Sequence, residues 1–415
     1  MNQGAPGGDG LTKPPRPARV ALSVLALCFL LSVLGRGLGD SFTVFLKPIA
    51  EDFGWDRGQV VSVYSLTWLA GGLMAPLVGR LFDRSGPRVV YSLGLLLLGG
   101  AFLIASRAQA LWQLQLSTGL CVGVGIALIG NVPNSILLGR WFGPRLPTAM
   151  AILYSATGAG ILVLLPASQV LIDRIGWRET YQLFGIVALG LLLPLLLMPW
   201  RLFANGSPHI AGKTDTGFVD NGWTLHSAIR HHAFWALFAT FFFTAVAMYA
   251  ITAQIVAYLI DAGFPPLQAA TAWGFSGVVL LFGMLGISTL DGIIGRRPSV
   301  LFSYGISIVG IILLWLLQYY PNYWLLTGFI VCFGSMIGSR GPLITATALN
   351  LFRGERVGTI YGTISIGSGL GSGLGSWAGG LIHDWTHSYN LLFVFALINL
   401  VLGLIPFLVV PALRR

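Results

Sequence analysis

The chain is a succession of apolar runs, each about as long as a bilayer is thick, and no other property restricts its fold so tightly. A helix needs about 20 predominantly apolar residues to cross the hydrocarbon core. Runs of that kind lie near 20–46, 59–79, 88–106, 110–139, 147–172 and 180–200, and after one polar stretch near 233–260, 268–290, 298–318, 323–350, 357–382 and 389–411. Inside lipid every backbone N–H and C=O must be satisfied within the protein, and a helix does so within its own segment. The sequence therefore predicts an all-α membrane protein with twelve transmembrane helices in two pseudo-symmetric six-helix bundles. Its expected parts are a disordered basic tail (1–19), a first bundle (20–200), a linker (201–231), a second bundle (232–411) and a short C-tail (412–415). The first run extends too far, into Ser41–Leu46, for the tail and run to be a cleaved signal peptide.

Composition excludes the soluble classes. Of 415 residues 55% are hydrophobic and only 9% charged, with a mean hydropathy of +0.80, whereas a soluble domain carries roughly 25% charged residues. A water-facing enzyme, a nucleic-acid module and a disordered scaffold are ruled out. The net charge of +10 resides in gaps between apolar runs. Seventeen Lys and Arg fall in the tails, alternate loops and linker, against five (Lys47, Arg57, Arg107, Arg174 and Arg178) on the opposite side. Positive residues favour the cytoplasmic side, so both termini are expected in the cytoplasm, in a cell inner or plasma membrane. Cys28, Cys121 and Cys332 all lie in apolar runs and suggest no disulfide framework.

The halves echo each other. Trp141-Phe142 aligns with Leu351-Phe352 at an offset of 210 residues, Gly158-x-Gly160 with Gly367-x-Gly369 at 209, and Asp83 with Asp291 at 208. Internal repeats around a linker are a feature of secondary transporters, whose substrate site lies near the midplane between the repeats.

Charges at membrane depth cost at least about 2.5–3.5 kcal/mol each at a helix centre, so each is a functional candidate. Arg36, Asp40, Thr43 and Lys47 step by 4, 3 and 4 along the first helix, which sets them on one face. Two readings of Arg36 and Asp40 stand: a mutually neutralising pair, or a binding and proton-coupling site, with Asp40 the one acid expected at depth. Lys47, near the outer end, is either a snorkelling lysine or a binding residue. Arg340 stands mid-span with no acid in its helix. Its planar fork suits a carboxylate; the alternative is a structural arginine on carbonyls freed by Gly341-Pro342. At the matching place in the first half, Asn131-Val-Pro133-Asn134 forms a second Pro-interrupted polar patch. Gln254, Tyr258 and Tyr361 join Arg340, Lys47, Arg36, Asn131 and Asn134 as candidate substrate-binding residues, with Tyr64, Trp68, Tyr154, Tyr249, Trp273 and Ser365 as further polar positions of inner helices.

The loop Gly79-x3-Asp83-Arg84-x-Gly86-x-Arg88 resembles the signature of the major facilitator superfamily, and Asp291 and Arg296 mark a weaker copy in the second half. In that copy four residues rather than three separate Asp from Gly, and Arg296 follows at once. Within that superfamily Ser41-Phe-Thr-Val-Phe-Leu-Lys47-Pro-Ile, Phe53-Gly-Trp55-x-Arg57 and Gly176-Trp177-Arg178 resemble the monocarboxylate transporters and bacterial oxalate/formate-type carriers. The resemblance implies carboxylate substrates and lifts Lys47 to a functional residue. It is broken at one point: such transporters usually carry an Arg, often with an Asp, in the eighth helix, whereas Ala270–Leu290 is uncharged here.

Three motifs carry no chemistry. His383-Asp384-x-x-His387 has metal-like spacing but lacks a third ligand. The alternating glycines from Gly367 to Gly375 lie within a membrane helix without a following Lys-Ser/Thr, so they signify close packing rather than a phosphate loop. His231-His232 belongs to the linker. No nucleophile–base–acid set is visible, so no enzyme, cofactor or metal is expected. The expected function is secondary active transport of a small mono- or dicarboxylate by alternating access, as a monomer, with a proton as partner. An anion exchanger, a carrier of an aromatic acid, a drug-like compound or a sugar phosphate, and a sensor that binds without transport are the alternatives.

Overall fold

A computed structural model describes residues 16–142, 145–204, 223–352 and 357–413. Most of the expected tail and linker, and the C-terminal pair, lie outside the described residues. Among the described residues there is no strand. Nine helical stretches there are long and apolar enough to cross a membrane. One of them, Arg57–Ala105, is 49 residues long and holds two spans, because Gly86 turns the chain at φ 74° and ψ 173°. Tyr323–Gly334 with Arg340–Leu351, and Val357–Thr386, complete the twelve.

We number the spans α1 (Arg16–Phe53), α2 and α3 (the two arms of Arg57–Ala105), α4 (Leu111–Phe142), α5 (Leu146–Ile175) and α6 (Trp177–Leu197) in the first bundle. The second holds α7 (His232–Asp261), α8 (Pro266–Ile294), α9 (Arg296–Leu317), α10 (Tyr323–Leu351), α11 (Val357–Thr386) and α12 (Asn390–Val409). Helix α1 begins at Arg16, inside the segment expected to be tail, and runs on to Phe53, past the expected end of the first run. One-turn helices at Trp200–Ala204 and Leu225–Ile229 border the linker. His231, assigned to the linker, instead caps α7: its Nδ1 accepts from the backbone N–H of Ala233 at 3.3 Å.

The repeat is visible in the backbone. Gly54 and Gly263, 209 residues apart, both have positive φ, as do Gly86 and Gly295, also 209 apart. Gly176 (φ 86°) is matched 211 residues later by His387 (φ 48°). Gly86 and Gly295 make the same turn, at ψ 173° and 169°, and glycine meets no Cβ penalty in that region.

The bundles meet where glycines let backbones touch. A Cβ on Gly158 of α5 would lie 2.0 Å from the carbonyl oxygen of Gly277 on α8, and one on Gly72 of α2 would lie 2.8 Å from Cα of Gly369 on α11. The alternating glycines of α11 serve two faces. Gly367, Gly371 and Gly375 pack on Phe238, Phe242 and Val246 of α7, while Gly369, Gly373 and Gly380 pack on α2 of the other bundle. Lipid gives helices little hydrophobic reason to associate, so close backbone contact carries the interface. Meanwhile α3, α6, α9 and α12 turn large apolar side chains outward, among them Ile104, Leu197, Phe302 and Val409.

Candidate functional site

Between the bundles lies a cavity of about 460 Å³, within the range of small-ligand pockets. Its walls come from α1, α2, α4, α5, α7, α8, α10 and α11, and no residue of the four outer helices lines it. The lining extends from mid-membrane toward the face on which Arg16 and Leu413 lie, through Asn131, Tyr154, Thr345 and Tyr361.

Two arginines reach the cavity, one from each bundle. Arg36 of α1 pairs through Nε with Asp40 Oδ2 at 2.8 Å. Its Nη2 donates to the Tyr249 hydroxyl of α7 at 3.2 Å, and its guanidinium lies 4.2 Å over the Trp68 ring. Asp40, buried behind it, accepts from the Tyr64 hydroxyl at 3.2 Å and does not line the cavity. The expected one-turn spacing is thus an actual ion pair, and Tyr64 and Trp68 orient it.

Arg340 is 4% exposed. Nε donates to Ser303 Oγ at 3.1 Å, Nη2 to the Ser303 carbonyl at 2.7 Å and to Ser307 Oγ, and the Tyr304 ring lies 4.1 Å beneath. These contacts to α9 and the cation–π contact offset much of the burial cost. Nη1 remains buried without a hydrogen-bond partner. The backbone departs from the sequence expectation here. Helix α10 is broken at 337–339, ahead of Arg340 rather than at Gly341-Pro342, and Arg340 opens the second half-helix with Pro342 in its first turn. The carbonyl it bonds belongs to the neighbouring α9. The carbonyl of Gly338, which Pro342 cannot serve, accepts from the Gly341 N–H at 3.2 Å.

In the first half α4 breaks at Gly130, and Asn131 opens the second half-helix and lines the cavity. Asn134 does not: it is fully buried away from the cavity. Its amide donates to the Ile129 carbonyl at 2.9 Å, which Pro133 leaves free, and to Ser32 Oγ at 2.8 Å, while its oxygen accepts from Tyr91 at 2.8 Å. Such a fully used side chain holds the break closed against α1 and α3.

Three other candidates also lie elsewhere. Gln254 sits at a turn dividing α7 and, with Tyr258, faces α9 and α12; Tyr258 donates to the Leu314 carbonyl at 2.6 Å. The i,i+4 spacing that grouped them is real, but their shared face points into their own bundle. Lys47 is at the opposite end of α1, where Nζ pairs with Asp261 of α7 at 3.3 Å. Tyr361, Ser365, Tyr154, Tyr249 and Trp68 do line the cavity, and Trp273 stacks on Phe329 within the second bundle.

Lys47 belongs to a cluster that closes the far side. Asp261 also accepts from Arg57 at 2.6 Å and from the Tyr389 hydroxyl at 2.8 Å, and Arg57 donates to Tyr389. Asp384, half of the metal-like motif, accepts from the backbone N–H groups of Arg57 at 3.1 Å and Gly58 at 2.6 Å. It caps α2 from the other bundle, with the charge sign that a helix N-terminus favours. Sequence reasoning missed Asp261, Asp384 and Tyr389. The available signal was an acid at the outer end of α7, level with Lys47 on α1. On the other side, Asp83 approaches Arg140 at 3.9 Å, and Asp291 approaches Arg296 at 3.8 Å. Gly79, Arg84 and Arg88 frame the first of these pairs around the Gly86 turn.

Comparison with known proteins agrees with this architecture. A sequence profile of the Major Facilitator Superfamily matches residues 25–364 and 288–415. An uncharacterized MFS-type transporter, YcxA of Bacillus subtilis (strain 168), is 27% identical over 402 residues, 94% of this chain and 96% of its own length. Monocarboxylate transporter 3 of Rattus norvegicus is 27% identical over 379 residues, 90% of this chain and 76% of its own. A bacterial homolog of the human lysosomal transporter Spinster, solved in an inward-facing and occupied conformation, superposes with a TM-score of 0.72 at 16% identity, covering 97% of this chain and 99% of that one.

Proposed function

The chain belongs to the major facilitator superfamily, and from that premise we propose that it is a secondary active transporter of a small organic anion, a mono- or dicarboxylate, coupled to a proton. One observation carries this reading. Two guanidinium groups line the cavity, one from each bundle, and no Asp or Glu among the described residues lines it with them. A carboxylate drawn between Arg36 and Arg340 contacts both bundles at once, so its binding is linked to their relative movement. The similarity to monocarboxylate transporter 3 supports the same class of cargo.

Coupling follows from the Arg36–Asp40 pair. While Asp40 is charged it engages Arg36; a proton on Asp40 weakens that hold and frees the guanidinium for substrate, so proton and anion favour each other's binding. With the termini in the cytoplasm, as the Lys and Arg distribution supports, the cavity opens inward and the Lys47–Arg57–Asp261–Tyr389–Asp384 cluster seals the outer side. Alternating access then requires that cluster to part while the inner half closes.

Purified protein in liposomes, given labelled carboxylates and their uncharged amides, tests the function. Accumulation of carboxylates alone, stimulated by a proton gradient, is expected. Binding without accumulation would identify a sensor, and accumulation of the amides would remove the anion reading.

A further inference from the structure

Arg36 is held at three points, and they differ in kind. Nε lies 2.8 Å from Asp40 Oδ2, yet neither atom has a hydrogen-bond partner, so charge rather than direction joins them. The Trp68 ring of α2 lies 4.2 Å from the guanidinium and sets its plane. The third point is the Tyr249 hydroxyl of α7, which accepts from Nη2 at 3.2 Å. Among the described residues it is the one hydrogen bond that Arg36 makes to the second bundle. Tyr249 is itself fixed: its ring centroid lies 5.2 Å from that of Trp68 and 6.4 Å from that of Tyr64, and it lines the cavity beside Arg36. The groups facing Asp40 are Arg36 on its own helix and the Tyr64 hydroxyl of α2. Tyr249 faces the pair from α7, and among the described residues no other helix packed on α1 brings a charged side chain to that carboxylate.

We propose that Tyr249 is a positioning residue of proton coupling: from the second bundle it keeps Arg36 directed at the cavity after a proton has cancelled the charge on Asp40. The assignment rests on the proton-coupled anion site proposed above. Once Asp40 is neutral, the attraction at Nε is lost, and stacking on Trp68 fixes the plane of the guanidinium but not its direction. The bond to Tyr249 is then the directional contact that remains. A long side chain that must be ordered when a ligand arrives costs affinity, whereas one ordered in advance does not. Without the hydroxyl, protonation of Asp40 releases Arg36 into several rotamers and less of the release is passed to the anion. With it, the proton and the anion strengthen each other's binding more fully.

The test compares the wild-type protein with Tyr249→Phe, which keeps the ring and its contacts with Trp68 and Tyr64 and loses only the hydroxyl. Affinity for propionate and for benzoate is measured by thermal stabilisation between about pH 6 and about pH 8.5, where both probes stay ionised. Wild-type affinity should rise toward the acid end. Tyr249→Phe should lose about five- to tenfold at that end, the cost of ordering one long side chain on binding, and little at the alkaline end, so that its profile flattens. Tyr249→Met, a second chain without the hydroxyl, should flatten it likewise if the Phe variant does not fold. An equal loss at both ends marks Tyr249 as merely structural and overturns the proposal, as does no loss at either end; both leave the anion site standing. If the wild-type protein binds both probes with no dependence on pH, the coupling reading fails and this inference with it. If no carboxylate stabilises the wild-type protein, the anion site itself fails.

Discussion

Asn131 and Arg340 occupy equivalent places 209 residues apart, each the first residue of the second half of a broken helix, and only one of them is charged. The repeat has kept the break, with Pro133 and Pro342 two residues further on, and has diverged in the side chain it presents. In the first half the break is braced by Asn134 against Tyr91 and Ser32. In the second it is braced by Arg340 itself against Ser303 and Ser307. Arg340 is therefore both a structural and a binding candidate, which bears on how its variants must be read.

Topology follows from the positive residues. Reporter fusions in the linker at residue 215 and at the C-terminus should both give cytoplasmic signals. An external signal from either would reverse the direction in which the cavity opens.

Close glycine contacts should be selective in their cost. Gly371→Ala places a Cβ 2.3 Å from the Phe242 carbonyl, and Gly277→Ala places one 2.3 Å from that of Gly158. Overpacking of this kind costs about 1–3 kcal/mol, so thermal unfolding in detergent should shift clearly downward. Gly286→Ala and Gly305→Ala meet nothing within 4 Å and should be neutral or stabilising by up to about 1 kcal/mol.

How much was legible beforehand depends on the kind of information. Span number, the repeat and the Arg36–Asp40 pairing follow from run length and from helical spacing within one segment, and those are local properties. The facing of Gln254, Tyr258 and Asn134 depends on the rotation of a helix among its neighbours. Nearly uniform apolarity around α7 leaves no polar stripe to reveal that rotation. Ser303 and Ser307 as partners of Arg340, and Asp261 as partner of Lys47, lie 37, 33 and 214 residues away from the residues they hold; only the packing of separate helices brings them together.

The far-side cluster should set the resting conformation. Asp261→Asn removes the charge shared by Lys47, Arg57 and Tyr389. The ion-pairing side chains of Lys47, Arg57 and Asp261 are partly exposed, so the loss is about 1 kcal/mol, or roughly a fivefold gain in the far-side-open population. Spin labels on the outer ends of α1 and α7 should report a larger long-distance fraction. An unchanged distance distribution would show that the glycine crossings alone hold that side shut.

Coupling should reside in Asp40. Asp40→Asn should abolish accumulation driven by a proton gradient while leaving anion exchange measurable, because the variant can bind substrate but cannot carry the proton. Gradient-driven uptake that survives in the variant would make Asp40 a purely structural partner of Arg36 and favour exchange as the transport mode.

Arg340 is tested most directly by ligand-induced thermal stabilisation of the purified protein, since a ligand raises apparent stability only when it binds the folded state. The best carboxylate from the uptake assay should stabilise the wild-type chain, stabilise Arg340→Lys less because the fork is lost, and leave Arg340→Gln unmoved although the variant purifies folded. Full stabilisation of a folded Arg340→Gln by that carboxylate would contradict the account and reduce Arg340 to the brace of a broken helix.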